Sequence, residues 1–175
     1  MGSSVCPRNQ TIIMKKSILS IQEAVEISNR LQTASKKIVL TGGCFDVLHI
    51  GHFKLLEHAK AAGDSLFVLL ESDKKISELK GINRPLHPQK ERAHMLAAIR
   101  FVDYVVLLPY IVTNEAYDHV VEEIHPTIIA TTSGDKNIEH KTRQAKNIGA
   151  KVAEVVEYIP NRSTSTALKT LLEET

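Results

Sequence analysis

The chain is poor in the features that mark secreted, membrane-spanning or zinc-binding proteins. It has two cysteines, Cys6 and Cys44, and no tryptophan among its 175 residues. These two cysteines give neither a disulfide framework nor a zinc-ligand spacing, so a reducing cytoplasm is the expected location. Apolar runs such as Val105–Leu108 are far too short to span a bilayer, and no secretory signal is recognisable at the N-terminus. We therefore expect no membrane partner.

An excess of charge of one sign is also missing. With 22 Lys and Arg against 20 Asp and Glu, the formal net charge is +2, which leaves no broad basic surface for nucleic acid. Hydrophobic residues at 43% and charged residues at 24% are ordinary for a globular domain. We predict a flexible N-terminal extension over 1–15 and a single domain over 16–175. A phosphorylated small molecule is the partner that fits this charge balance.

Residues 41–52, T-G-G-C-F-D-V-L-H-I-G-H, carry the most functional information in the chain. An apolar β-branched run at 36–40 precedes them, a Gly-Gly pair interrupts the strand, and an amphipathic segment at 53–60 follows. This order predicts a strand, a tight turn and a helix. Such a junction directs the free N–H groups and the partial positive charge of the helix N-terminus at an anion above the strand end.

Two histidines, His49 and His52, lie three residues apart at the start of this predicted helix. Residues at that spacing share a helix face, so both imidazoles can reach one anion, and a polyphosphate suits the arrangement. Taken singly, a histidine at a helix start is usually a polar surface residue, and a Gly-Gly pair is usually only a turn. The whole string, between a strand and a helix, favours the phosphate-binding interpretation.

Apolar runs along the rest of the chain predict the fold. Five runs predict strands, at 36–40, 65–70, 104–108, 127–130 and 151–156. Helical patterns flank them, at 20–31, 53–60, 89–99, 115–124, 141–148 and 165–173. The polar segment 71–87 is predicted as a loop. We therefore predict an α/β, Rossmann-like single domain with a parallel five-stranded sheet, helices on both faces, and one ligand-binding rim after the strands.

Further motifs follow the turn in a recognisable order. They are Leu79-Lys80-Gly81, Arg84-Pro85, Glu91-Arg92, Arg100-x-Val102-Asp103 and Ser163-Thr164-Ser165. Together with the H-x-G-H string, they resemble the HxGH nucleotidyltransferases of the cytidylyltransferase-like family over residues 36–172. Within that family the likeness is greatest to the adenylyltransferase domain of ADP-heptose synthase, which joins ATP to a heptose 1-phosphate.

Two positions depart from the pattern of that branch. Glu71 precedes Ser-Asp where the branch tends to have Asn. Residues 132–135 read Thr-Ser-Gly-Asp where the branch tends to have Lys-Gly-Gly-Asp. Both positions lie on the rim expected to hold the acceptor, so the acceptor can differ while the reaction is retained.

The resemblance implies attack by an acceptor phosphate on the α-phosphorus of a nucleoside triphosphate, with release of pyrophosphate. Transfer of AMP from ATP to a phosphorylated sugar is the favoured version. No general base is required, because the nucleophile arrives ionised and catalysis depends on positioning and charge stabilisation. Mg²⁺ is expected on the triphosphate and not in a protein cage, so no metal-binding residue is named. The resemblance also implies a homodimer.

The resemblance assigns catalytic functions to His49, His52 and Lys80. Residues expected to bind the nucleotide and its phosphates are Gly43, Cys44, Phe45, Arg84, Ser163, Thr164 and Ser165. Candidate acceptor contacts are Asp46, Glu71 and Asp135. Mobile loops commonly carry charges such as those of Lys80 and Arg84, although a solvated basic loop is the simpler alternative.

Several of these residues have structural alternatives. Asp46 can orient the turn or accept a hydrogen bond from Arg92, and a structural pair is the favoured interpretation of both. Cys44 is better explained as a small filler of the turn than as a nucleophile. Asp135 can cap a loop, and Ser163–Ser165 can form an ordinary N-cap that also binds phosphate.

Other functions compete with the adenylyltransferase interpretation. The string H-I-G-H also occurs in class I aminoacyl-tRNA synthetases, but the chain lacks their Lys-Met-Ser-Lys-Ser loop. Three alternatives stay open: a cytidylyltransferase that uses CTP and glycerol 3-phosphate, an FAD synthetase-like enzyme, and a nucleotide-sensing module without turnover. The choice between ATP and CTP depends on a few hydrogen bonds to the edges of the base, and the sequence does not locate the groups that form them.

Overall fold

The computed structural model of the protein describes residues 17–157. Its strands are β1 (Ile18–Leu19), β2 (Ile38–Gly43), β3 (Ser65–Leu70), β4 (Tyr104–Leu107), β5 (Ile128–Thr132) and β6 (Lys151–Val156). Its helices are α1 (Ile21–Thr33), α2 (Ile50–Ala61), α3 (Asp73–Lys80), α4 (Gln89–Ala97), α5 (Asn114–Ile124) and α6 (Ile138–Ile148). The extension predicted at 1–15 and the helix predicted at 165–173 lie outside the described residues.

All six strands are parallel, in the order β1-β4-β3-β2-β5-β6. The prediction of a parallel, Rossmann-like sheet is confirmed, and its count of five strands is one too few. The additional strand is β1, whose Ile18 and Leu19 pair with Val105 and Val106 of β4. Two residues are too few to show a strand pattern in the sequence.

Alternate residues of each central strand enter two separate cores. In β3, Phe67 and Leu69 belong to one core, whereas Leu66, Val68 and Leu70 belong to the other. Successive side chains of a strand point to opposite faces, so a sheet covered on both faces needs continuous apolar strands. Helices α1, α5 and α6 pack on the first face, and α2 and α4 pack on the second.

Local capping determines where several helices begin and end. Ser20 caps α1, because its Oγ accepts from the backbone N–H of Glu23, and the Glu23 carboxylate accepts from the backbone N–H of Ser20. These two hydrogen bonds form a capping box. Helix α6 ends at Gly149, whose φ of 69° is in the left-handed region that glycine adopts without strain. The chain enters β6 two residues later.

Two local predictions were wrong. The segment 71–87, predicted as a loop, contains α3, which starts where the Ser72 side chain accepts from the backbone N–H of Lys75. Ile76 is the buried residue of this helix, and one apolar position is too weak a periodic signal to find from sequence. The Gly42-Gly43 pair does not interrupt β2 but forms its last two residues.

Strands β2 and β5 separate at the carboxyl end of the sheet. They pair only where Val39 faces Ile128 and Leu40 faces Ile129, whereas β2 stays paired with β3 as far as Gly43. The strand order reverses here, because β3 and β4 extend the sheet on one side of β2 and β5 and β6 extend it on the other. Open α/β sheets bind ligands in the crevice at such a switch point.

Within residues 17–157, no helix has the length and apolar character needed to cross a bilayer.

A buried arginine connects three chain segments at this end of the sheet. Arg92 of α4 has no solvent exposure. Its guanidinium donates to the carbonyl oxygens of Cys44, Glu71 and His87 at 2.5, 2.8 and 2.9 Å. It also donates to a carboxylate oxygen of Asp73 at 2.6 Å. A buried cation is stable only with such a set of acceptors, because desolvation of an ion costs several kcal/mol.

We predict that Arg92→Met lowers the free energy of unfolding by about 3 kcal/mol or more, because three carbonyl groups and one carboxylate lose their donor. Urea-induced unfolding measures this change. The matched control is Arg30→Met, which removes a surface guanidinium hydrogen-bonded to its own helix and should change stability by less than about 0.5 kcal/mol. Equal stability of the two variants would contradict the proposed contribution of Arg92.

Candidate active site

The two histidines of the motif stack on each other at the start of α2. His49 is the N-cap residue and His52 lies in the first turn, with ring centroids 3.8 Å apart and an interplanar angle of 29°. Gly51 permits this packing, because a Cβ atom there would lie 3.1 Å from both Cε1 and Nδ1 of His49. The H-x-G-H spacing thus places two imidazoles beside a helix N-terminus, whose dipole attracts anions.

Hydrogen bonding determines the tautomer of His52. The backbone N–H of His49 donates to Nδ1 of His52 over 3.4 Å, so Nδ1 is the acceptor and Nε2 carries the hydrogen. Nδ1 of His49 is buried, and no group within residues 17–157 forms a hydrogen bond with it. The pair therefore offers one defined N–H donor, the Nε2–H of His52.

Both imidazoles are held in the neutral form. Burial, together with the neighbouring His49 and the Lys80 ammonium, lowers the pKa of His52 to about 3. Burial also lowers the pKa of His49, again with a contribution from Lys80. Lys80 is the last residue of α3, so its positive charge acts on the histidine pair from the neighbouring helix.

The turn after β2 contains a residue in an unusual conformation. Phe45 has a φ of 45°, in the left-handed region that a bulky residue rarely adopts. Its ring is buried in the second core and lies 5.0 Å from the ring of His52. A Cβ atom on Gly43 would lie 3.1 Å from the same ring. Backbone strain of about 1–3 kcal/mol is typical of ligand-binding turns, and this turn brings Gly43, Phe45 and the two histidines around one cavity.

Asp46 is buried, and its carboxylate is occupied by neighbouring donors. It accepts from Nε of Arg84 at 2.5 Å and from the backbone N–H groups of Leu86 and His87 at 2.8 and 3.2 Å. Burial alone would raise the pKa of Asp46, but these hydrogen bonds and the Arg84 charge lower it. The pairing of Asp46 with Arg92 that the sequence suggested is not formed. These hydrogen bonds connect Asp46 to the loop before α4, and an acceptor contact of Asp46 stays a prediction.

The thiol of Cys44 and the guanidinium of Arg84 also have defined surroundings. Burial raises the pKa of Cys44, so the thiol stays protonated, in line with its interpretation as a filler of the turn. The carbonyl oxygen of Cys44 is held by Arg92. Arg84 forms an ion pair with Asp46, and binding of a phosphate by Arg84 stays a prediction.

A first cavity of about 340 Å³ opens beside the histidine pair. Its walls include Gly43, Phe45, His49, His52, Ser133 and Asp135. Asp135 is fixed there by hydrogen bonds from Thr131 and from the Lys141 ammonium, which lies 2.5 Å away. Burial would raise the pKa of Asp135, but hydrogen bonds from Lys141, Thr131 and the Asn137 N–H lower it. The cavity joins the H-x-G-H turn to the loop after β5, and its volume suits a small-molecule ligand.

A second cavity of about 330 Å³ lies on the opposite face of the sheet, against α5 and α6. Its walls include Thr41, Glu71, Lys75, Tyr117, His140 and Arg143. The Tyr117 hydroxyl donates to the Glu71 carboxylate, 2.8 and 2.9 Å from its two oxygens. Burial raises the pKa of Glu71. Gly42 and Lys141 border both cavities.

The sequence-predicted site residues therefore divide into groups. Gly43, Phe45, His49, His52 and Asp135 meet at the first cavity, and Glu71 lies at the second. Lys80 acts on the imidazoles through its charge. Ser163, Thr164 and Ser165 lie outside the described residues.

Tyr117 and Lys141 were not identified from the sequence. Tyr117 lies near the start of α5 and Lys141 near the start of α6. Their positions in the sequence could have indicated them, because helices that follow parallel strands begin at the ligand-binding rim of the sheet. Polar side chains near the start of such a helix are therefore candidates for ligand contacts.

A parallel sheet with a ligand crevice at its switch point, beside a glycine-containing turn and a helix N-terminus, defines a Rossmann-like nucleotide-binding protein. A sequence profile described as Cytidylyltransferase-like matches residues 40–172. The chain belongs to this family, which places it among the nucleotidyltransferases. The family expected from the motifs is thereby confirmed.

Curated relatives agree with this assignment. The bifunctional protein HldE of Citrifermentans bemidjiense is 38% identical over 144 residues, covering 82% of this chain and 28% of the relative. The bifunctional protein HldE of Aliarcobacter butzleri is 35% identical over 156 residues, covering 89% of this chain and 31% of the relative. The chain thus spans less than a third of the length of these relatives.

Two solved structures have similar folds. The lipopolysaccharide core biosynthesis protein from Thermoplasma volcanium GSS1 has a TM-score of 0.57 at 25% identity, covering 71% of this chain and 97% of that protein. The pantoate-beta-alanine ligase from Francisella tularensis, in complex with beta-gamma ATP and beta-alanine, has a TM-score of 0.60 at 16% identity. It covers 87% of this chain and 72% of that protein, and at this identity the likeness shows the fold alone.

The lowered pKa of His52 predicts a pH-dependent stability. The unfolded chain accepts a proton on this residue below about pH 6.5, whereas the folded protein resists protonation down to about pH 3. The stability that His52 contributes is therefore present above about pH 6.5 and is lost as the pH falls. Between about pH 7 and pH 5, we predict that the wild-type protein loses on the order of 1–2 kcal/mol more than His52→Gln.

Urea-induced unfolding at the two pH values measures this difference. His94→Gln, which removes an exposed imidazole from α4, is the matched control and should retain the pH dependence of the wild-type protein. An identical loss of stability in the wild-type protein and His52→Gln would show that folding does not hold His52 in its neutral form.

Proposed function

We propose that this chain transfers the AMP group of ATP to the phosphate of a phosphorylated sugar, such as heptose 1-phosphate, and releases pyrophosphate. The observation that carries the proposal is the stacked, neutral pair of His49 and His52 at the N-terminus of α2, beside the glycine-containing end of β2. The HldE relatives support a nucleotidyltransferase. The motifs of the chain also resemble the adenylyltransferase domain of ADP-heptose synthase.

The chemistry needs few groups from the protein. An oxygen of the acceptor phosphate forms a bond to the α-phosphorus of ATP, and the bond from that phosphorus to the β-bridging oxygen breaks. Pyrophosphate leaves with the electron pair. The acceptor phosphate is already ionised near neutral pH, so the reaction depends on positioning and charge stabilisation.

The histidine pair supplies the stabilisation in this scheme. Neutral imidazole N–H groups of His49 and His52 donate to the oxygens of the α-phosphate, where negative charge grows as the new bond forms. The positive end of the α2 dipole acts in the same direction. Lys80 adds a full positive charge close to both rings. We propose that Lys80, Arg84 and Ser163–Ser165 contact the remaining phosphates.

The nucleotide is proposed to bind as its magnesium complex. Within residues 17–157, no group of three or more His, Cys, Asp or Glu side chains is arranged to hold a metal ion. Mg²⁺ is a hard cation that is commonly held by one or two carboxylates together with substrate phosphates. On the basis of the family resemblance, we propose that the substrate carries the ion and that the assembly is a homodimer.

Pyrophosphate release tests the proposed reaction. The assay combines the magnesium complexes of ATP and CTP with heptose 1-phosphate, glycerol 3-phosphate and flavin mononucleotide. We predict the highest kcat/KM for ATP with heptose 1-phosphate. Faster release from CTP with glycerol 3-phosphate would identify a cytidylyltransferase, and release with flavin mononucleotide would identify an FAD synthetase. Nucleotide binding without release from any pair would support a nucleotide-sensing module.

The histidine pair generates a second prediction. His52→Ala should lower kcat by about a hundredfold or more, because a donor to the transition state is lost while the fold is retained. The matched control is His94→Ala, which removes a histidine from α4, and its kcat should be unchanged. Circular dichroism verifies that both variants are folded. Unchanged turnover in a folded His52→Ala protein would contradict the proposed stabilisation of the transition state by His52.

A further inference from the structure

A largely buried lysine borders the first cavity and is not among the groups assigned to the nucleotide. Lys141 lies in α6, and its side chain is 18% exposed. It lines the cavity together with His49 and His52. Lysine is rarely buried, because desolvation of an ammonium ion costs several kcal/mol unless acceptors surround it. The position of Lys141 beside a ligand cavity therefore depends on specific partners.

Thr131 and Asp135 hold the Lys141 ammonium in place. Nζ of Lys141 donates to Oγ1 of Thr131 over 2.8 Å and to Oδ2 of Asp135 over 2.5 Å. The Thr131 hydroxyl donates to the same carboxylate oxygen, so the three side chains form a closed network. The other carboxylate oxygen accepts from the backbone N–H of Asn137. A lysine side chain is flexible by itself, and this network gives its charge a fixed position.

One donor of the Lys141 ammonium remains for a ligand. An ammonium group carries three N–H donors, and Thr131 and Asp135 accept from two of them. Within residues 17–157, no other group accepts from Nζ of Lys141. Because Lys141 lines the first cavity, the third N–H is available to an acceptor that binds there.

The histidine pair supplies no positive charge to the first cavity. His49 and His52 are neutral, and Asp135 adds a negative charge to the same wall. An unpaired carboxylate at this position would repel the phosphates of a nucleotide, and Lys141 neutralises it across 2.5 Å. Among the described residues, the lysines that line this cavity are Lys136, which is exposed, and Lys141. Lys141 is therefore the one whose charge is screened least by solvent.

We infer that Lys141 is a further catalytic residue, whose third N–H donates to an oxygen of the nucleotide α-phosphate from the side of α6. The inference rests on the proposed function, because it assumes that nucleotidyl transfer takes place in the first cavity. In this arrangement His49 and His52 contact the same phosphate from the side of α2. The phosphate thus receives neutral donors from one helix and a charged donor from the other.

The charge of Lys141 acts on the exchange of bonds at the α-phosphorus. An oxygen of the acceptor phosphate bonds to this phosphorus, the bond to the β-bridging oxygen breaks, and pyrophosphate leaves with the electron pair. Negative charge grows on the non-bridging oxygens of the α-phosphate during this step. A cation that is already fixed beside them stabilises the transition state without reorganisation. Lys141 keeps its protons throughout.

A purely structural function of Lys141 is the competing explanation, because its ammonium also neutralises Asp135. Asp135→Asn removes the charge that needs neutralising and keeps the shape of the side chain. Lys141→Met removes the ammonium and keeps an apolar stem. Made singly and together, the two changes form a double-mutant cycle that separates the two functions. The double variant leaves no buried carboxylate unpaired, and circular dichroism verifies that it is folded.

Pyrophosphate release measures this cycle. With Asp135→Asn as the reference, addition of Lys141→Met should still lower kcat by about tenfold or more, because a charged donor to the transition state is lost. If Lys141 serves only to neutralise Asp135, the double variant will have the kcat of Asp135→Asn. That result would overturn the inference.

A second lysine–aspartate pair provides a matched control. Nζ of Lys60 lies 2.7 Å from Oδ2 of Asp103, and the two side chains are 31% and 27% exposed. Neither residue lines the first or the second cavity. Lys60→Met therefore breaks a similar pair away from the nucleotide, and kcat should stay within about twofold of the wild-type value.

Isothermal titration calorimetry without an acceptor tests the contact independently of the reaction. The magnesium complexes of ATP and CTP are titrated into the full chain, with AMP and CMP as competitors. The double variant should bind the triphosphate and its monophosphate about threefold or more weakly than Asp135→Asn, since both ligands carry the α-phosphate. Weaker binding of the triphosphate alone would place Lys141 at another phosphate and overturn the assignment.

The two measurements together separate the failure of this inference from the failure of the proposed function. Weaker binding of both ligands supports the Lys141 contact even if no acceptor yields pyrophosphate, in which case only the proposed reaction fails. Pyrophosphate release with kcat and nucleotide affinity equal in Asp135→Asn and the double variant overturns the inference alone. Absence of ATP and CTP binding to the wild-type chain overturns both.

Discussion

The buried guanidinium of Arg92 is the contact on which the ligand-binding end of the sheet depends. Its carbonyl acceptors belong to the turn after β2, the end of β3 and the loop before α4, through Cys44, Glu71 and His87. A cation without solvent exposure must keep such acceptors, because their loss would leave an unpaired buried charge. The three segments are therefore fixed relative to one another. Asp46 adds a second connection of the same kind, since it binds Arg84 and the backbone of the same loop.

This rigid end of the sheet makes the histidine pair possible. Phe45 adopts an unfavourable left-handed conformation that only a well-supported turn can maintain. Its ring packs against His52, and His52 stacks on His49. Burial by these neighbours keeps both imidazoles neutral. The turn that Arg92 supports therefore also provides the packing that keeps the two proposed catalytic histidines neutral.

Most of the sheet could be predicted from the sequence, because strands buried on both faces require continuous apolar runs. The strands at 65–70 and 151–156 have the predicted bounds. Strand β1 and helix α3 could not be predicted in the same way, because β1 has two residues and α3 buries only Ile76. Both elements are stabilised by neighbours that are distant in the chain, and local hydrophobic patterns do not indicate those contacts.

The sequence by itself determined the family, the parallel sheet and the presence of two imidazoles at a helix N-terminus, because the H-x-G-H turn is built by residues within one short segment. Only the tertiary structure decided the partners of the charged residues. It pairs Asp46 with Arg84 and joins Glu71 to Tyr117, which is 46 residues away. It also places a cavity on each face of the sheet, and Gly42 borders both cavities. The physical reason is that these contacts depend on how helices pack across the sheet, and spacing along the chain does not specify that packing.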